Sequence, residues 1–241
     1  MNAVVLIAKR ELKALFDSPI AYIFLFVYLI LSLAFFRIEL FSDNQASLRH
    51  LFENMDWTFF ILIPPLAMRQ WAEEQKSGTL ELLLTWPLKD WQIVVGKFLA
   101  ASSLVAAALA LTLPAAFMVD SMGHNLDWGP VWAGYLGALL MGLAYLSISF
   151  FLSAFTESQV AAFLLSLMAC VLLWIPGESF LLEWIQSSTV TLFQEIGFGS
   201  RFRHFESGLL KLADICYYLS WIVLGCVFTT ASFQRHRKPN S

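Results

Sequence analysis

The sequence predicts an all-α, polytopic membrane protein of six transmembrane helices. An amphipathic interfacial helix precedes them, a short cytoplasmic helix lies between helices 2 and 3, and short re-entrant or interfacial helices lie between helices 5 and 6. Three observations carry this reading. Hydrophobic residues make up 59% of the 241-residue chain and charged residues only 14%, against about 45–50% and about 25% in soluble domains. The apolar residues gather into runs near the roughly 20 residues that a bilayer crossing requires. The charged residues gather between those runs. A soluble fold of this size could not hide 22 Phe and 9 Trp without large exposed patches.

The runs come in order. Residues 20–36 carry no charge. Residues 57–68 are short and bounded by Asp56 and Arg69. Residues 93–119 tolerate Lys97 near one end, and 131–155, 159–175 and 215–233 complete the six. Pro64-Pro65 and Pro114 each mark a kink or an end. With the N-terminus inside, ten of the 15 Lys and Arg fall in cytoplasmic flanks, the bias that sets orientation. Both termini are therefore expected in the cytoplasm, and the whole of 1–241 is expected to form one domain. The outside segments are acidic, which disfavours anionic polymers there.

Residues 1–18 place Val5, Ala8, Leu12, Leu15 and Phe16 on one helical face and Lys9, Arg10 and Lys13 elsewhere. That pattern suits an amphipathic helix on the cytoplasmic leaflet, turned off at Ser18-Pro19; a plain extension of the first crossing is the alternative. Within 131–155, Gly134, Ala138 and Gly142 recur every four residues, a spacing that permits close helix packing in lipid. Residues 176–213 are too polar to span. Phe180, Leu181, Trp184 and Ile185, and the run 190–196, read as short helices dipping into the outer leaflet or as a folded loop.

No catalytic constellation emerges. Cys170, Cys216 and Cys226 have no ligand spacing and read as small buried hydrophobes, and His50, His124, His204 and His236 form no metal motif. Gly96-Lys97 lacks the preceding glycine and following Ser or Thr of a phosphate loop. The expected crossings carry no ionisable residue at mid-depth, which weighs against an ion-coupled pump. No enzyme activity, cofactor, metal or nucleic-acid partner is expected in this chain.

The cytoplasmic stretch 69–92 contains GTLELLLTWP. Thr79 can cap a short helix and Pro87 can stop it. Leu80, Leu83 and Leu84 form an apolar stripe with Glu81 facing away. Such a helix could enter a groove on another protein or lie flat on the membrane, and periodicity does not separate the two.

The stretch PPLAMRQWAEEQKSGTLELLLTWPLKDWQIVVGKFLA resembles permease subunits of ABC-2 type transporters. It is most similar to the branch with gliding-motility-type and nitrous-oxide-reductase-maturation-type permeases. Arg69, Glu73, Glu74, Gly78-Thr79-Leu80-Glu81, Leu83-Leu84, Pro87 and Gly96-Lys97 match that pattern. Residues 9–23, 151–163 and 202–220 also look familial. The resemblance implies a coupling helix that docks on two copies of a separate ABC ATPase, which would hold ATP and Mg, and a second permease copy completing a homodimer. On that reading Glu73, Glu74 and Glu81 contact the ATPase or neighbouring loops, Leu80, Leu83, Leu84 and Trp86 fill its groove, and Glu11 and Lys13 are second-line contacts. The implied function is an ATP-driven exporter permease surrounded by lipid. The alternative is a mechanical subunit that transmits ATP hydrolysis to a periplasmic companion without moving a substrate.

Overall fold

Helix ends in this chain fall where the backbone chemistry requires them. The computed structural model describes residues 3–42, 49–85, 88–121, 127–177 and 195–237. Helix α1 runs Ala3–Asp17 and breaks at Ser18, whose hydroxyl accepts from the Ile20 backbone N–H at 3.4 Å. Helix α2 (Pro19–Ser42) then starts on proline, which tolerates a first helical turn because that N–H has no helical partner. After α3 (Arg49–Glu53), α4 spans Met55–Ser77 and ends on Gly78, and α5 covers Thr79–Leu84. Helix α6 (Asp90–Ala110) stops at the residue whose carbonyl the Pro114 ring would strike, and α7 resumes at Leu113–Ser121. Helices α8 (Trp128–Ser153) and α9 (Gln159–Trp174) follow, each started by a side-chain cap, Asp127 to the Gly129 N–H and Ser158 to the Ala161 N–H. A 3₁₀ turn, Ile175–Gly177, closes α9. The last elements are α10 (Phe198–Glu206) and α11 (Leu212–Arg237).

Among the described residues, five segments are long and apolar enough to cross a membrane: Pro19–Arg37, Asp90–Ser121, Trp128–Ser153, Gln159–Gly177 and Leu212–Gln234. The protein is a multi-pass membrane protein. The expected crossing at 57–68 is not among the five. It lies inside α4, whose final turns carry Arg69, Glu73, Glu74 and Lys76. Pro64-Pro65 does not end that helix. The chain gives up the backbone bonds the two prolines cannot donate and continues to Ser77.

Helix α8 is the hub, packed against α4, α6, α9, α10 and α11. Its small residues explain how. A Cβ on Gly134 would come within 2.5 Å of the Phe52 ring, and one on Gly142 within 3.1 Å of Phe59 and 3.2 Å of Val105. Ala138 lies fully buried between them. Aromatic rings fill what larger residues would otherwise occupy, because dispersion contacts rather than water exclusion hold helices together in lipid.

Asp56 departs from the sequence expectation. The sequence reads it as a boundary residue of the crossing at 57–68. Instead it is buried against α8, where the Tyr145 hydroxyl, well inside the span Trp128–Ser153, donates to it at 3.1 Å. Cys216 also departs, since it is exposed while Cys170 is buried and Cys226 partly so. The expectations at Phe180, Leu181, Trp184, Ile185 and most of 190–196 fall outside the described residues, as does His124.

Candidate functional site: the junction behind α5

At the end of the bundle where α4 gives way to α5, three elements converge on one lysine. Lys97, in the second turn of α6, is 2% exposed. Its ammonium donates to Glu74 Oε1 of α4 at 2.7 Å, to Glu11 Oε2 of α1 at 3.3 Å, and to the Gln70 carbonyl at 3.3 Å. The Trp71 ring lies 5.0 Å away on another side. An isolated ammonium buried this deeply would cost several kcal/mol, so two carboxylates and a carbonyl are what permit it.

Gly96 sets the approach. A Cβ there would come within 2.7 Å of Ile7 Cγ2, so only glycine lets α1 lie this close across α6. The Gly96-Lys97 pair thus has a packing half and an electrostatic half. It brings α1 onto α6, then ties both to α4.

The two carboxylates differ. Burial pushes Glu11 up, but Lys97 and Arg10, the latter 2.5 Å away, outweigh it and hold the group below the ordinary carboxylate value. At Glu74 burial wins over Lys97, and its carboxyl is raised. The geometry gives the reason: Glu74 Oε2 is buried with no hydrogen-bond partner among the described residues.

Arg69 grips the neighbouring corner. Its Nε donates to Glu73 Oε2 at 3.1 Å and its Nη1 to the Ser18 hydroxyl at 3.2 Å, where α1 turns into α2. A small cavity of about 180 Å³ lies among Glu11, Ser18, Arg69, Gln70, Glu74 and Lys97. On the far side, α4 is pinned to the end of α8: the Ala72 N–H reaches the Ser153 hydroxyl at 3.3 Å, and Gln75 Nε2 donates to the Ala154 carbonyl at 2.7 Å. Trp71 packs between Phe150 of α8 and Phe233 of α11.

Helix α5 hangs from this junction. Gly78 adopts φ 70, the left-handed cap that ends α4, with its N–H on the Gln75 carbonyl at 3.1 Å. Thr79 does not cap α5 from outside, as the sequence suggested. It is the first residue of α5, and its hydroxyl bonds back to Ser77 at 2.8 Å and to the Glu74 carbonyl at 3.4 Å, closing the end of α4. Leu80 and Leu83, read from sequence as docking residues, turn inward at 8% and 9% exposure and join the chain's own core. The physical reason is that a six-residue helix is too short to hold itself and needs an apolar seat. Gly78 and Thr79 remain exposed, Glu73 and Glu74 are partly buried, and Lys13 is exposed on α1. The side chains of Glu81 and Leu84, and Trp86 and Pro87 altogether, lie outside what the structure describes.

A family model described as ABC-2 family transporter protein matches residues 5–237. The chain belongs to the ABC-2 transporter family. No curated protein matches it. ABC-2 permeases are membrane components of ABC transporters and work with an ABC ATPase subunit, so this chain is a transport protein by family. The specific branch suggested by the sequence stays a resemblance.

The sequence reading missed Lys97 as the organiser, having treated it as a tolerated charge at a helix end. The available signal was chemical: a lone lysine inside an apolar run must find carboxylates, and Glu11 and Glu74 flank it at the same end. It also missed a second cluster, His204 with Arg201, Lys211 and Asp214, at the opposite end of the bundle.

Proposed function

We propose that this ABC-2 chain is the permease half of an ATP-driven exporter, acting as a homodimer with two ATPase subunits docked on the α5 end. One observation supports this above others. The Glu11–Lys97–Glu74 cluster, one turn ahead of the Gly78 cap that leads into α5, joins α1, α4 and α6 by charge-assisted bonds around a buried ammonium. A push on α5 therefore reaches three helices as a unit instead of dissipating in a loop.

On this reading α4 is the sixth crossing, packed against α2, α6, α8 and α9, and α1 lies along the cytoplasmic leaflet of a bacterial inner membrane with both termini inside. The ATPase supplies ATP and Mg chemistry. Leu80 and Leu83 seat α5 on its own bundle, and Gly78, Thr79 and Glu73 meet the partner, with Glu81, Leu84, Trp86 and Pro87 proposed as further contacts. Lys13 stands beside it as a second-line contact. Closure of the ATPase dimer then favours one arrangement of the helices and hydrolysis restores the other. The exposed apolar faces of α2 (Tyr22, Phe26, Ile30) and α9 (Leu164, Met168, Leu172) are the surfaces offered to a second copy.

The test is Thr79→Arg, which enlarges the exposed rim and leaves the buried leucines alone. Loss of ATPase co-purification and of stimulated hydrolysis, with normal thermal stability, is the expected result. If both survive, α5 is not the docking element.

A further inference from the structure

At the end of the bundle away from α5, α10 is held by its apolar face. Phe198, Phe202 and Phe205 are buried, and Phe205 packs onto α8 at Gly137, where any Cβ would sit 2.5 Å from the ring. That fixes the helix rotation and turns its basic flank toward the start of α11. A cavity of about 750 Å³ opens there, bordered by Gly177, Arg201, Arg203, His204, Lys211 and Asp214.

The charges in this cavity are unequally used. Asp214 is 2% exposed and both its oxygens are occupied, Oδ1 by Arg201 Nη1 at 2.8 Å and Oδ2 by His204 Nδ1 at 2.8 Å. Arg201 is further engaged by the Glu195 carbonyl at 2.7 Å and by the Tyr217 ring at 4.3 Å. With Nδ1–H on Asp214, His204 presents Nε2 as an acceptor, and the Lys211 ammonium donates to it at 2.9 Å. Arg203 donates to the Gly177 carbonyl. No carboxylate of the described residues lies within ion-pair distance of Arg203 or Lys211. Among the described residues, each therefore keeps spare N–H donors and an unneutralised charge. Glu195 also borders the cavity, so its described lining is cationic in balance rather than purely basic.

The surroundings say what reaches it. Leu209, Leu210 and Leu212 flank Lys211 in sequence and are 55%, 59% and 75% exposed. Gly177 ends one span and Leu212 begins another. Exposed leucines at that level belong in the acyl region, which places the lysine and arginine heads among lipid headgroups.

We propose that this cavity binds the phosphate of a lipid headgroup, with Arg203 and Lys211 as its cationic contacts and the Asp214–His204 pair orienting Lys211. The site is independent of whether the ATPase docks on α5.

The purified full-length chain in an uncharged detergent is titrated with short-chain phosphatidylglycerol and, separately, with glycerol phosphate, each followed by calorimetry. The expected result is that the lipid binds and glycerol phosphate binds far more weakly. Arg203→Gln and Lys211→Gln should each weaken lipid binding about tenfold, the loss of one charge-assisted hydrogen bond. Lys9→Gln, at the other end, should leave it unchanged. Equal binding of glycerol phosphate overturns the lipid assignment. Absence of lipid binding, or equal effects of all three substitutions, overturns the site. Hydrogen exchange on the unaltered chain guards against misfolded variants: lipid must protect 198–214, and protection confined elsewhere rejects the proposal.

Discussion

The Lys97 ammonium lies 2.7 Å from the Glu74 carboxylate, joining the first turns of α6 to the last turns of α4 just ahead of α5. With Glu11 as its second partner, that lysine closes a junction no single helix could hold.

Lys97→Met keeps most of the volume but strands the Glu74 carboxylate and leaves Glu11 with Arg10 alone. It should cost about 3–5 kcal/mol, the range for breaking a buried ion pair from one side. Adding Glu11→Gln and Glu74→Gln should restore much of that. Denaturant unfolding in detergent measures both. If the triple variant is no more stable than Lys97→Met, the cost is packing and not charge.

Acid should separate the two carboxylates. Glu74 has a raised pKa, so its charged form is disfavoured in the fold, and the penalty appears as pH rises through its folded value. Glu74→Gln should therefore match the parent at acid pH and gain on it as pH climbs past the ordinary carboxylate range. Glu11 is depressed, so its contribution is present above the ordinary value and lost as pH falls through the folded one. Glu11→Gln should be less stable than the parent near neutrality and approach it in acid. Melting temperatures across pH decide this, and parallel curves for the two variants would refute the assignment.

Gly96→Ala drives a methyl to within 2.7 Å of Ile7. Overpacking of this kind costs about 1–3 kcal/mol. Ile7→Ala should relieve it, so the double variant should be more stable than the two single losses summed. Additive losses in a thermal double-mutant cycle would mean that α1 does not rest on Gly96.

Gly78→Ala meets no atom within 4 Å, so its whole cost is the left-handed backbone, about 1–2 kcal/mol. Asn should be tolerated better than Ala at this position. Faster amide exchange across 79–84 in the Ala variant, and recovery with Asn, is the expected pattern. Unchanged exchange would show that the cap does not position α5.

The apolar runs, the break at Ser18-Pro19, the end of α6 before Pro114 and the left-handed Gly78 are local: composition, ring sterics and glycine's missing Cβ dictate them without a partner helix. The sequence determined on its own that this is a helical membrane protein with an unusual segment at 69–97. The tertiary structure decided the rest, because those outcomes depend on neighbours distant in the chain. Leu80 and Leu83 face inward because a short helix needs the bundle's apolar seat. Lys97 is buried because Glu11, 86 residues away, and Glu74 arrive on two other helices. The acidic average of the segments predicted to lie outside gave no hint of Arg203 and Lys211 over one cavity, since a regional charge sum does not say which carboxylates are already taken.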